Sequence, residues 1–157
     1  MYGRGRGVHS PRAFALVHSL LRPYATYYDF DLHPSLFDAD LARLVYRIVA
    51  RCGIKSLVGK EIDTSLVEVP QLASSTLSVV DRGESAPSPR LFMIHKPMDM
   101  GRLALSDGDM VLLLAPLRYD ALRNWIDGLN HVIIMDLYEA ILIVYMPNVK
   151  YLYRTTM

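Results

Sequence analysis

Beyond Gly53 the chain changes character, and that change constrains the fold more than any other feature. Short apolar runs at Ser56–Gly59, Thr76–Val80, Leu91–His95, Met110–Leu114 and Val132–Met135 alternate with helix-capable stretches near Thr64–Ala73 and Tyr119–Leu129. Apolar runs this short and bounded by turn residues suit strands buried on both faces. Strands separated by helices pair in parallel, because the crossover brings each strand back in the same direction. The expected fold is α/β with a mostly parallel sheet. The connection "DRGESAPSPR" is rich in Pro and Ser and too short for a crossover helix, so it is expected to be irregular.

Two helices are expected before the sheet. In "HSPRAFALVHSLLRP" Ser10 suits the N-cap and Pro11 the first helical position. Phe14, Val17, Leu20 and Leu21 share a face, and Pro23 ends the helix. Tyr24 to Asp31 reads as an aromatic, turn-like connection. In the second helix Phe37, Leu41, Leu44, Val45, Ile48, Val49 and Cys52 repeat at three and four. Asp38 and Asp40 fall in its first turn, Arg47 and Arg51 near its end, and Gly53 suits the position just past it. At the other end, "AILIVYM" and "VKYLYRT" flank the turn dipeptide Pro147-Asn148 and predict a C-terminal antiparallel β-hairpin closing one sheet edge. A chain of 157 residues fits one domain, 1–157, with a helical segment over 1–52 and the sheet core over 53–157.

Seventeen Lys and Arg against sixteen Asp and Glu leave a formal charge of +1. So balanced a chain has no global attraction to nucleic acid or to an acidic membrane. The apolar stretch Val132 to Met146 is interrupted by Asp136 and Glu139, which argues against a membrane span, and a cytoplasmic location is expected. Cys52 is the only cysteine and lies in an apolar stripe, where an inert buried thiol is the expectation. The five histidines show no metal-ligand spacing, so no metal is expected.

Three stretches carry a family resemblance. "GRGRGVHSPRAF" followed by "YY", "LARLVYRIVARCGIKSLVGKEIDTSLVEVPQLA", and the tail from "LRNWIDGLNHVIIMDLYEAILIVYM" to "KYLYR" resemble bacterial class I S-adenosylmethionine-dependent methyltransferase-like proteins that open with a G-x-H-S-P-x-x-F helix. The resemblance implies a Rossmann-like sheet with a terminal hairpin, and S-adenosylmethionine as cofactor. It implies a glycine-rich turn after the first strand, an acid on the ribose at the end of the second, and an acid or amide after the fourth.

The residues meet this pattern in part. Gly59 stands for the first glycine of the loop, and Glu61 and Asp63 follow it where a cofactor amine would be reached. The second glycine falls near Asp63, and "KSLVG" lacks the acid expected before the loop. Asp81 lies roughly 20 residues beyond Gly59, the interval of ribose-binding acids in nucleotide folds. With "DGDMVLLLAP" taken as strand four, the polar group near the reacting methyl is replaced by Ala115. Against each role stands a plainer one: Asp81 as a turn acid before Gly83, Gly59 as a strand-ending turn, Glu61 and Asp63 as exposed loop carboxylates, and His9 as a helix-terminus residue.

The expected function is therefore that of a shortened or degenerate member of this group, with a small-molecule cofactor. The alternatives are an active methyltransferase on an unknown acceptor, and a non-catalytic interaction module acting through a protein partner or a homodimer. Tyr24, Tyr27 and Tyr28 are candidates for lining a pocket or interface. The Trp125 stripe, with Leu122, Ile126 and Leu129, is expected to pack on the sheet.

Overall fold

The computed structural model describes residues 11–21, 27–96, 103–114, 120–137, 140–146 and 150–154, with side chains for all of these but 11–14, 122–123 and 150–154. Ser10, His9, Tyr24, Ala115 and the Pro147-Asn148 dipeptide, all given roles above, lie outside the described residues.

Three helices precede the first strand: α1 (Pro11–Leu21), α2 (Tyr28–Leu32) and α3 (Asp40–Cys52). The sheet elements follow as β1 (Ser56–Val58), α4 (Thr64–Ala73), β2 (Ser78–Val80), β3 (Arg90–Ile94), β4 (Met110–Leu114), α5 (Asp120–Asp127), β5 (Val132–Asp136), β6 (Ala140–Tyr145) and β7 (Lys150–Arg154). The strand order is β2-β1-β3-β4-β6-β5-β7. The α/β expectation holds. The sheet is mixed: β2, β1, β3 and β4 run parallel, β6 is antiparallel to both β4 and β5, and β7 is parallel to β5.

Two local expectations are corrected. Tyr28–Leu32 forms a short helix, not a turn-like connection, and Asp29 and Asp31 lie in its first turn, where the helix dipole favours acids. The antiparallel pair at the C-terminal end is β5 with β6, and not the two segments around Pro147-Asn148. Strand β6 is buried along nearly its whole length, so it belongs inside the sheet, between β4 and β5. The alternating "KYLYR" suits an edge, and β7 pairs there with β5.

Each face of the sheet has its own core. On one face Leu57, Leu91, Met93, Leu112, Met135 and Leu142 meet Val17 and Leu20 of α1, Leu44, Val45 and Ile48 of α3, and Val69 of α4. On the other, Val58, Phe92, Ile94, Val111, Leu113 and Ile143 meet Ile126 and Trp125 of α5, with Leu103, Leu105 and Ala86 from loops. Burial of each such Leu, Ile or Val is worth about 1.5–3 kcal/mol. Over β1 and β3 this second face is therefore covered by loops, and a cleft remains there.

Helix α3 anchors the N-terminal helices. Gly53, just past its end, has φ of 63°, the left-handed region that glycine adopts without strain. Arg47, buried within it, donates from Nη1 to the carbonyl of Leu20 at 2.6 Å, satisfying a last-turn carbonyl of α1. Burial pushes the half-buried Cys52 thiol up to about 11, too high for a reactive thiolate near neutral pH. No described helix is long and apolar enough to cross a membrane.

The tyrosine group divides. Tyr27 packs with Phe30 and Tyr46, and its hydroxyl accepts from Arg51 Nε at 2.5 Å. Tyr28 is 76% exposed, as is about half of Leu32 one turn later. The Tyr46 hydroxyl donates to Asp29 Oδ2. Burial first, and then this bond, push the Tyr46 phenol up to about 12. A raised phenol pKa favours the folded state below the unfolded value of ~10, and that stabilisation is lost as pH rises through the folded one. Alkaline titration followed by ultraviolet absorbance will show one tyrosine ionising near pH 12. In Asp29→Asn that step moves down only part of the way, because burial remains; an unmoved step would remove Asp29 from the explanation.

Candidate functional site

The chain reverses direction around β1. From β1 it passes through α4 to β2 on one side; from β2 it crosses to β3 on the other. In open parallel sheets such a reversal leaves a crevice at the carboxyl ends of the flanking strands, where ligands bind. Here the converging ends are those of β1 (Gly59, Lys60), β2 (Asp81, Arg82) and β3 (Ile94, His95, Lys96).

A cleft of ≈ 370 Å³ opens at this place. That lies within the range of about 300–1,000 Å³ usual for small-molecule sites. Its wall includes Val58, Phe92, Ile94 and Leu103, which are apolar, and Asp81, Lys60, Arg82 and Glu84, which are charged. Val58 pairs with Val80, so Gly59 and Asp81 stand one step beyond the last paired residues of adjacent strands. The Gly59 N–H donates to the Val80 carbonyl at 3.1 Å, which holds the two ends together. Asp81 is exposed and makes no ion pair among the described residues.

One side of the cleft is fixed by a buried ion pair that sequence reasoning missed. Asp109, fully buried ahead of β4, accepts from Arg90 Nη2 at 2.6 Å and from Arg90 Nε at 3.1 Å. It also accepts from the backbone N–H groups of Arg90 and Ser106, each at 2.8 Å, and from the Ser88 hydroxyl at 2.8 Å. Burial pushes the Asp109 carboxyl up, but these donors outweigh it and hold the carboxyl below the usual aspartate range. Arg90 donates onward to the carbonyls of Gly83 at 2.6 Å and Ala104 at 2.8 Å, and lies over the Phe92 ring at 5.0 Å. Two loops are thereby tied to the starts of β3 and β4. Gly83 fits because a Cβ there would lie 2.7 Å from the Phe92 ring. The signal in the sequence was a charge abutting each of two fully apolar strands, in "SPRLFMI" and "GDMVLLL".

The sequence-derived residues are brought together only in part. Gly59 and Asp81 share the cleft; Glu61 and Asp63 do not line it. Glu61, at φ of 51°, pairs with Lys96 at 3.6 Å across the ends of β1 and β3. Both partners are exposed, so the pair adds little stability. Asp63 is the N-cap of α4: its Oδ1 accepts from the Ser65 N–H at 2.9 Å and the Ser65 hydroxyl at 2.6 Å. It lines a separate, shallow cleft with Asp38 and Leu41. On that face Ile62 closes over Gly59, where a Cβ would lie 2.8 Å from Ile62 Cδ1 and 2.9 Å from the Met93 carbonyl oxygen.

On the side away from β2 the strand beside β1 is β3, and β4 lies one strand further out. The segment that ends next to Gly59 is therefore Ile94–Lys96, not the "LLLAP" segment of β4. Nε2 of His95 is buried there without a hydrogen-bond partner among the described residues. Among the described residues no three His, Cys, Asp or Glu side chains gather as a metal ligand set would. The chain matches no protein-family model, no curated protein and no solved structure.

Proposed function

We propose that this chain is a shortened protein of the methyltransferase type, retaining a Rossmann-like nucleoside cleft and holding the nucleoside half of S-adenosylmethionine over β1, β2 and β3. The observation that carries the reading is the convergence of Gly59 and Asp81 in one cleft at the carboxyl ends of adjacent parallel strands. The antiparallel β5–β6 pair after a parallel core also agrees with the resemblance described above. When bound, the cofactor supplies a methyl group on a sulfonium centre.

The residues present fit one half of that group. Asp81, without an ion pair among the described residues, is a carboxylate with acceptor sites for both hydroxyls of a ribose. Val58, Ile94 and Leu103 offer an apolar surface that excludes water from a base. The other half of the expected site has been rebuilt. The glycine-rich turn is reduced to Gly59, Ile62 covers its far side, and Asp63 occupies the Ser65 N–H at the start of α4. These changes favour a degenerate member over an active enzyme, and no acid or base is assigned to methyl transfer.

Ligand-dependent thermal unfolding tests the reading. S-adenosylhomocysteine at one hundred times its dissociation constant will add about 2.7 kcal/mol and raise Tm by several degrees. No shift at millimolar ligand sinks the proposal.

A further inference from the structure

We infer that Arg90 is a latch: it couples the two loops that wall the cleft, so that both open together and one side chain controls access. The inference concerns how the cleft is reached, and only the ligand arm of its test rests on the nucleoside reading.

Arg82, Gly83 and Glu84 reach the cleft from the β2–β3 connection, and Leu103 and Ala104 from the β3–β4 connection. Both stretches are lightly held. Among the described residues a single hydrogen bond ties residues 82–85 to the sheet, from Arg90 Nη1 to the Gly83 carbonyl at 2.6 Å. The other bond to that carbonyl, from the Ala86 N–H at 3.3 Å, is local. A single hydrogen bond likewise ties residues 103–105, from Arg90 Nη2 to the Ala104 carbonyl at 2.8 Å. Positions just beyond are pinned separately: the Pro87 carbonyl by the Ser56 hydroxyl, the Pro89 carbonyl by the Lys55 N–H, and the Ser106 N–H by Asp109, each at 2.8 Å. Arg82, Glu84 and Ala104 are exposed, and Ala86, Leu103 and Leu105 are only partly buried against the second-face core. Segments with so few buried contacts open at the low end of a protein's stability range.

The tether itself is rigid. Arg90 is 7% exposed, and Asp109 Oδ2 holds its Nε at 3.1 Å and its Nη2 at 2.6 Å. The guanidinium lies over the Phe92 ring at 5.0 Å. Its two Nη atoms belong to one planar group, so a tilt that loses the Gly83 carbonyl also spoils the alignment to Ala104. The loops therefore share one closed state, and their opening is one cooperative event.

Native-state proteolysis of the full chain tests this. Thermolysin cuts ahead of apolar residues, and the bonds before Ala86 and Leu105 each place such a residue against the second-face core. A cut at either one requires its loop to leave the sheet. A urea series gives each bond an opening free energy and a slope. In the unaltered chain the two bonds will share one slope, smaller than that of global unfolding followed by circular dichroism. Arg90→Lys leaves a cation beside Asp109, but one ammonium nitrogen cannot stand at both Nη positions. Both cuts will accelerate by about tenfold, the low end of what one charged hydrogen bond is worth, and their slope will stay below the global one. A merely structural Arg90 would change global stability alone. If Arg90→Lys does not fold, the two slopes of the unaltered chain decide. Saturating S-adenosylhomocysteine will slow both cuts by the same factor. A shared slope without that slowing keeps the latch and removes the nucleoside. Two different slopes, cuts only at the global slope, or acceleration of one bond or neither in folded Arg90→Lys overturn the latch whatever the nucleoside does.

Discussion

Asp109→Ala will lower the unfolding free energy by about 3–5 kcal/mol in chemical denaturation, the cost of leaving one partner of a buried ion pair alone. The size follows from what the carboxylate holds. Its oxygens receive two guanidinium bonds from Arg90, two backbone N–H bonds and the Ser88 hydroxyl, and Asp109 is fully buried. Without it the Arg90 charge stays in the wall of the cleft with only carbonyl acceptors. Asp107→Ala, two residues away and exposed, is the control and will change little. The sign of the acid dependence follows from the same contacts. A carboxyl whose folded pKa lies below its unfolded value stabilises the fold above the unfolded value, ~3.9. That stabilisation is lost as pH falls from there through the lower folded value. Acid unfolding of the unaltered chain will therefore show a component below about pH 4 that Asp109→Ala lacks. Equal stability of the two chains at neutral pH would mean that the cleft wall is held by something else.

Gly59→Val has the second large effect, a loss of about 1–3 kcal/mol from overpacking. The argument is steric, since φ at this residue is not in the left-handed region. A Cβ would lie 2.9 Å from the Met93 carbonyl oxygen, backbone of β3 that pairs with Leu112 of β4 and cannot readily withdraw. It would also press on Ile62 Cδ1 at 2.8 Å, which can rotate. Adding Ile62→Val to Gly59→Val separates the two contacts, because it removes Cδ1 and leaves residue 59 the same. It recovers part of the loss only if Ile62 is the harder contact; no recovery places the cost on the Met93 carbonyl. If Gly59→Val unfolds at the same denaturant concentration as the parent, the close approach of β1 and β3 is not tight.

The elements were legible where periodicity was strong. Helix α4 runs from Thr64 to Ala73 as the pattern predicts, and β4 from Met110 to Leu114. The end of α3 at Cys52, with Gly53 beyond it, follows from its glycine and its apolar stripe. Pairing was harder, because strand order is a property of the whole sheet. "AILIVYM" and "KYLYR" look like neighbours across a short turn, yet the fully apolar strand goes to the interior and the alternating one to an edge. For the same reason "DGDMVLLLAP" reads as the strand beside β1, a place held by "RLFMI". The nearness of Asp81 to Gly59 was legible because the interval between them is set by one crossover. Arg90 was not, since its partner Asp109 lies beyond an entire strand and loop and no local pattern joins them. In the sequence Asp63 reads as a cofactor contact or as an exposed loop carboxylate; its role as the N-cap of α4 rests on the Ser65 bonds, which no spacing rule announces.

Calorimetric titration of S-adenosylhomocysteine into the unaltered chain and into Asp81→Ala bears most directly on the proposed nucleoside cleft. Asp81 is exposed and its removal leaves the folded core untouched, so any change reads binding alone. Binding in the micromolar range, weakened at least tenfold in Asp81→Ala, as expected when a charged acceptor for two ribose hydroxyls is removed, is the outcome that follows from the geometry of β1 and β2. Absence of heat at millimolar ligand, or equal affinity in the two chains, would show that the space between Gly59 and Asp81 is not a nucleoside site.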